Sequence, residues 1–117
     1  MSLKKECTDK RGTVWSFKIS NDPLKEFLIQ FTKKGYYRGG DIHPGKQYNI
    51  LIEGEGIMFK RINGIDYPIN MKKGDMIIIS KGIPHIFYSS TDSWMIEFHE
   101  YPGVREIYPP YRNQIKK

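Results

Sequence analysis

Asp41 and His43 stand two residues apart in "GYYRGGDIHPGKQYNILIEGEG", residues 35–56. Side chains of an extended strand alternate with a period of two, so if Asp41 faces the interior of a barrel, His43 does too. Beyond the Pro44-Gly45 corner the same rule puts Gln47, Asn49 and Leu51 on one face. His85 opens a further strand, "HIFYSS", after the turn "KGIP". Polar groups turned toward a small core are costly unless they bond to one another, to water, to a metal or to a ligand. Three uses are open to such a set. His43 and His85 with the Asp41 carboxylate, and the Gln47 amide oxygen as a weak fourth donor, offer a site for one divalent transition metal: Zn, Fe, Mn or Ni. Alternatively, a desolvated carboxylate or an imidazole takes a proton next to a ketone, with Tyr36, Tyr37 or Tyr88 to return it. In the third, the groups only hydrogen-bond within a hydrated pocket, and there is no cofactor.

The elements that must position these groups read as strands. "TVWSFKI" and "EFLIQFT" are rich in β-branched and aromatic residues, and "QYNILIEGEG" and "GIMFKRI" flank a glycine turn. Asn63-Gly64 in "RINGIDYPI" is a strong hairpin signal. "MIIIS", "HIFYSS" and "SWMIEFHE" complete a set of short strands between Gly/Pro turns, with no convincing amphipathic helix; a sandwich, barrel or jelly roll is expected. "NILI" and "DMIIIS" are apolar on both faces, which predicts a covering partner, most economically a two-fold homodimer.

With 117 residues the chain has room for one core, and its single cysteine, Cys7, leaves no intrachain disulfide. A cytoplasmic location is the expectation, since no stretch reads as a membrane span or a secretory signal. The net charge of +6 is scattered rather than gathered into a nucleic-acid motif, so anionic small molecules are the expected beneficiaries. The glycines at 35, 39, 40, 54, 74 and 82 read as turn residues with positive φ. Trp15, Phe87, Trp94 and Phe98 read as core, although one exposed aromatic at a pocket mouth would suit a sugar. His99 reads as a surface histidine, Glu97 as a spare acid if it turns inward, and Arg105 and Arg112 as solvated or dimer-contacting. The tail "EYPGVREIYPPYRNQIKK" reads as an ordered arm.

These stretches resemble the two motifs of the cupin superfamily. Gly35, Asp41, His43, Gln47 and Gly54 fall on the positions of the first, and Gly74, Ser80, Gly82 and His85 on those of the second. The resemblance spans roughly residues 35–98. It implies an all-β, double-stranded β-helix (cupin jelly-roll barrel) as a single domain over 1–117, with motif 1 at 35–54, motif 2 at 74–89 and the C-terminal arm at 100–117. Asp41 stands where cupins place a first metal-binding histidine, and Gln47 where they place a glutamate.

"DKRG" (9–12), "RGGDIH" (38–43) and "GIPHIF" (82–87) are similar in order to the nucleotide-sugar cupins, the dTDP-4-keto-6-deoxyglucose 3,4-ketoisomerases and dTDP-4-dehydrorhamnose 3,5-epimerases. Carried over, the resemblance makes Arg11 and Arg38 contacts to a diphosphate or sugar, as suits a guanidinium fork. Asp41 and His43 become the catalytic pair, and Gln47, Asn49, His85 and Phe87 line the substrate pocket. The implied activity is binding of a keto-sugar or sugar phosphate, as a free sugar or a sugar nucleotide, and its isomerisation through an enolate steadied by Gln47 or a tyrosine. A metal-dependent cupin enzyme, either an oxygenase or phosphomannose-isomerase-like, and a non-catalytic sugar-binding module are the alternatives.

Overall fold

A computed structural model describes residues 2–19, 26–101 and 104–115. Two antiparallel sheets face each other. The six-stranded sheet runs in the order β1 (Ser2–Asp9), β2 (Gly12–Lys18), β3 (Glu26–Thr32), β10 (Ser93–His99), β5 (Gln47–Glu53), β8 (Met76–Ile79). The five-stranded sheet runs β11 (Glu106–Ile107), β4 (Tyr37–Ile42), β9 (His85–Ser89), β6 (Glu55–Ile62), β7 (Ile65–Lys72). The neighbours β10 and β5, or β4 and β9, are far apart in sequence, the crossed connectivity of a jelly roll. The expected all-β jelly-roll architecture is present.

Alternation sets the core. Leu51 of β5, Ile77 and Ile79 of β8, Met95 of β10 and Met58, Met71 and Phe87 of the opposite sheet are buried together. At one end of the barrel the inward positions of the same strands switch to polar residues, Gln47 and Asn49 on β5 and Glu97 and His99 on β10. The β6/β7 hairpin turns at Asn63-Gly64, both with positive φ as a tight two-residue turn requires.

Four features depart from the sequence reading. The strands read from the sequence begin at "TVWSFKI", whereas residues ahead of it also form a strand, β1, exposed along its whole length. The tail carries a short helix, α1 (Pro109–Ile115), which Pro109 can open because its missing N–H has no helical partner there. Gly39 and Gly40 are not in a turn but inside β4, where positive φ at both makes a bulge against β9. Trp94 and Phe98 are not core residues; they lie exposed on the outer face of the six-stranded sheet.

Candidate functional site

The bulge in β4 decides which side chains enter the barrel. Arg38 and Asp41 are three residues apart and would sit on opposite faces of a regular strand. The extra residue in "RGGD" lets both turn inward, where they are 5% and 6% exposed. Asp41, His43, Gln47 and His85 line one cavity of about 500 Å3, together with Arg38 and four groups that sequence reasoning gave no part in the pocket or left conditional: Glu97, His99, Arg105 and Arg112.

All three histidines of the chain meet here. The His43 ring lies 4.4 Å from that of His99 and 5.5 Å from that of His85, centroid to centroid. His99 is therefore a cavity residue rather than a surface one, and Glu97 turns inward with it and accepts a hydrogen bond from its Nε2 at 3.1 Å. The His43 Nδ1 is 3.1 Å from the Val104 carbonyl oxygen, and the His85 Nδ1 is 3.1 Å from that of Ile83. A carbonyl oxygen can only accept, so each Nδ1 carries the proton and each Nε2 keeps its lone pair. Burial pushes both imidazoles below the usual histidine range, and for His43 the neighbouring His99 pushes the same way. For Glu97 burial pushes upward, but the hydrogen bond from His99 and the electrostatic interaction with that ring lead the causes that outweigh it, and the net shift is downward.

These shifts have a sign in stability. His43 and His85 bind protons more readily in the unfolded chain than in the folded one. Their contribution is complete above about pH 6.5, the ordinary histidine value, and is lost as pH falls from there toward their lowered folded values. The contribution of Glu97 is lost further down, as pH falls from 4.5 through its lowered folded pKa. The melting temperature is expected to be level near neutrality and to fall on acidification below about pH 6.5; a rise in that interval would contradict the assignment.

Asp41 is not a free carboxylate. Its Oδ1 accepts from Arg112 at 2.7 Å and its Oδ2 from Arg105 at 3.4 Å, both delivered by the C-terminal arm. β11 pairs with Asp41 and Ile42, and the Tyr108 N–H donates to the Gly40 carbonyl at 2.9 Å. The Arg112 stem packs against Gly40, where a side chain would stand 3.2–3.3 Å from it. The arm is clamped from below by Arg61, which forks onto Asp66 at 2.8 and 3.0 Å and lies under the Tyr108 and Tyr111 rings. Arg105 and Arg112 thus belong to the cavity, a role that no local motif announced because the contact spans more than sixty residues of chain.

Arg38 and Arg11 differ in what they are given. Arg11 is engaged by Asp9, with Nη2 to Oδ2 at 2.7 Å. The buried Arg38 bonds only to neutral acceptors, Thr32 Oγ1 at 3.2 Å, the Phe31 carbonyl at 3.3 Å and Cys7 Sγ at 4.0 Å; among the described residues no carboxylate pairs with it. Burial lowers its pKa, and the nearby Arg11 adds to this, but a guanidinium keeps its proton. A fixed positive charge therefore faces the cavity with no carboxylate in direct contact among the described residues, Asp9 acting on it only from a distance.

Several expected contacts are absent or altered. Phe87 is in the core cluster, 3% exposed, and does not line the cavity. Asn49 is fully buried behind Gln47, accepting from its Nε2 at 2.9 Å, while Gln47 Oε1 is buried with no partner among the described residues. Tyr37 and Tyr88 pack on each other with tilted rings at 4.9 Å, and neither they nor Tyr36 line the cavity. His43 and His85 offer lone pairs, but both oxygens of Asp41 are taken by guanidinium groups. Among the described residues no three His, Cys, Asp or Glu side chains are grouped to hold an ion. The expected ligands His43, His85, Asp41 and Gln47 all line this cavity.

A double-stranded β-helix with polar groups from β4, β5, β9 and β10 turned into one end of the barrel is the cupin fold. Solved structures similar to the chain carry the same architecture. CapF from Staphylococcus aureus, a capsular polysaccharide assembling protein, matches with a TM-score of 0.73 at 18% identity over 91% of this chain and 34% of that one. CapF bound to an inhibitor, 3-isopropenyl-tropolone, matches at 0.72 and 20% identity over 84% and 30%. Oxalate decarboxylase from Bacillus subtilis matches at 0.75 and 14% identity over 87% and 28%. The chain spans about a third or less of those proteins, and at such identities the likeness is one of fold. No family model and no curated protein matches the chain. Among the described residues no helix is long and apolar enough to cross a membrane.

Proposed function

We propose that the cavity binds an anionic keto-sugar, as a sugar phosphate or nucleotide sugar, and moves a proton beside its carbonyl with His43 as the base. The observation that carries this reading is the presence in one cavity of a neutral imidazole with a free Nε2 and a buried guanidinium without a carboxylate. Arg38 supplies the charge that a phosphate neutralises, and Gln47 is part of the same polar lining. His43 Nε2 takes the proton alpha to the carbonyl, the C–H electron pair becomes a C=C bond, and charge moves to the carbonyl oxygen. The guanidinium groups around Asp41 offset that charge; the proton of the hydroxyl on the alpha carbon passes to the enolate oxygen, and the imidazolium returns its proton to the former carbonyl carbon, so that the carbonyl now stands on the alpha carbon. Asp41 orients the arm in this account and is not the base. Among the solved neighbours, the capsular polysaccharide assembling protein fits a place in polysaccharide metabolism.

The test is a thermal-shift screen with dTDP-, UDP- and GDP-keto-sugars against the matching uncharged sugars, followed by exchange of the alpha proton with deuterated water. Stabilisation by the phosphorylated ligands alone, with exchange, is expected. Stabilisation without exchange would leave a sugar-binding module, and equal response to uncharged sugars would overturn the anion site.

A further inference from the structure

The partner that fixes the proton on the His43 ring, the Val104 carbonyl at 3.1 Å, lies sixty-one residues further along the chain. For His85 the same service comes from Ile83, two residues away, so local structure alone keeps its tautomer. His43 depends on where the arm lies. Its near side is held to β4 by the pairing of β11, by the Tyr108 N–H on the Gly40 carbonyl at 2.9 Å and by Arg112 on Asp41 at 2.7 Å. β11 has two residues, both exposed, and a strand so short does not hold a segment by itself.

The far side is anchored more deeply. Tyr111, 1% exposed, is the buried residue of α1, and its hydroxyl donates to Asp66 of β7. Arg61 of β6 forks onto the same carboxylate and brings its guanidinium to 4.6 Å from the centre of the Tyr111 ring. Tyr108 meets that ring edge-on at 5.3 Å, and its hydroxyl oxygen accepts from Arg61 at 3.3 Å. Burial, and then the Asp66 carboxylate, push the Tyr111 phenol up, so it stays protonated and remains the donor.

We infer that Tyr111, seated on Arg61 and Asp66, is a positioning residue that keeps the Val104 carbonyl on His43 and thereby leaves the Nε2 lone pair free. The inference rests on the reading of His43 as the base. Tyr111 does not line the cavity and acts only through the arm. A neutral imidazole has one proton for two nitrogens. A ring released from Val104 carries it on Nε2 in a share of molecules, and these present a donor where the base needs a lone pair.

Tyr111→Ala in the full chain tests this. Long-range proton–nitrogen correlation at neutral pH should show part of His43 turning to the Nε2–H form, while His85 keeps its proton on Nδ1. Alpha-proton exchange at saturating ligand should fall about tenfold to a hundredfold, as it does when a reacting group is slightly misplaced. Tyr111→Phe keeps the ring on Arg61 and should fall between wild type and Tyr111→Ala. If Tyr111→Ala fails to fold, Asp66→Ala, at an exposed position, removes the acceptor and should move His43 the same way. A His43 that keeps its Nδ1 proton in the folded variant overturns the inference and leaves the base assignment standing. A His85 that changes together with His43 marks a general loosening and overturns it as well. A wild-type His43 already protonated on Nε2 overturns both the inference and the reading beneath it.

Discussion

Replacing Arg38 with methionine is expected to raise the melting temperature by several degrees and to abolish the stabilisation that phosphorylated ligands confer. The guanidinium is buried among neutral acceptors, with no carboxylate in ion-pair contact among the described residues. Exchanging buried charged groups for apolar ones of similar volume is often neutral or stabilising, by about 1–4 kcal/mol in favourable cases. Here the lost bonds to Thr32 and the Phe31 carbonyl keep the gain at the low end, about 1 kcal/mol. On the ligand side, each charge-assisted bond to a phosphate contributes roughly 1.5–3 kcal/mol, so removal weakens binding by about tenfold to more than a hundredfold. Opposite movement of stability and affinity marks a charge kept for a ligand. A variant that melts lower and binds as before would make Arg38 a structural residue. Calorimetry and a binding isotherm on the same sample decide between them.

His43→Asn should slow alpha-proton exchange by about 10²–10⁴-fold, the usual share of a positioned base, while ligand affinity changes by no more than a few-fold. The asparagine amide can still donate to the Val104 carbonyl and hold the arm, so what is lost is the Nε2 lone pair. Asp41→Asn is the informative companion. If Asp41 were the base, its loss would stop exchange as completely. In the arrangement seen here, it weakens the hold on Arg105 and Arg112, and the effect falls on arm stability and ligand affinity. Exchange that survives His43→Asn and stops with Asp41→Asn would reverse the two roles.

Those roles show where sequence reasoning reached and where it stopped. The period-two rule brought Asp41 and His43, and then Gln47, Asn49 and Leu51, to inward positions because strands leave side chains only two directions. The same rule places Glu97 and His99 beside Met95 on β10, yet nothing local shows which end of a barrel is lined by polar groups, so a histidine late in a strand reads as a surface residue. Arg105 and Arg112 were invisible for a different reason. Their position depends on the arm returning to β4 and on Arg61 clamping two tyrosines, contacts made across forty residues or more. The glycines of "RGGD" announced positive φ but not its use, because a turn and a bulge ask for the same backbone. Residue type alone points Trp94 and Phe98 to the core, because it cannot separate the inside of a sheet from its outer face.

The ring nitrogens of the three histidines, followed by long-range proton–nitrogen correlation during acidification and on addition of a nucleotide sugar, test the account most directly. It requires His43 and His85 to hold their proton on Nδ1 at neutral pH, to stay neutral below the ordinary histidine value of 6.5, and to shift with His99 as ligand is added. A His43 ring protonated on Nε2 at neutral pH, or three rings indifferent to every phosphorylated sugar, would contradict it.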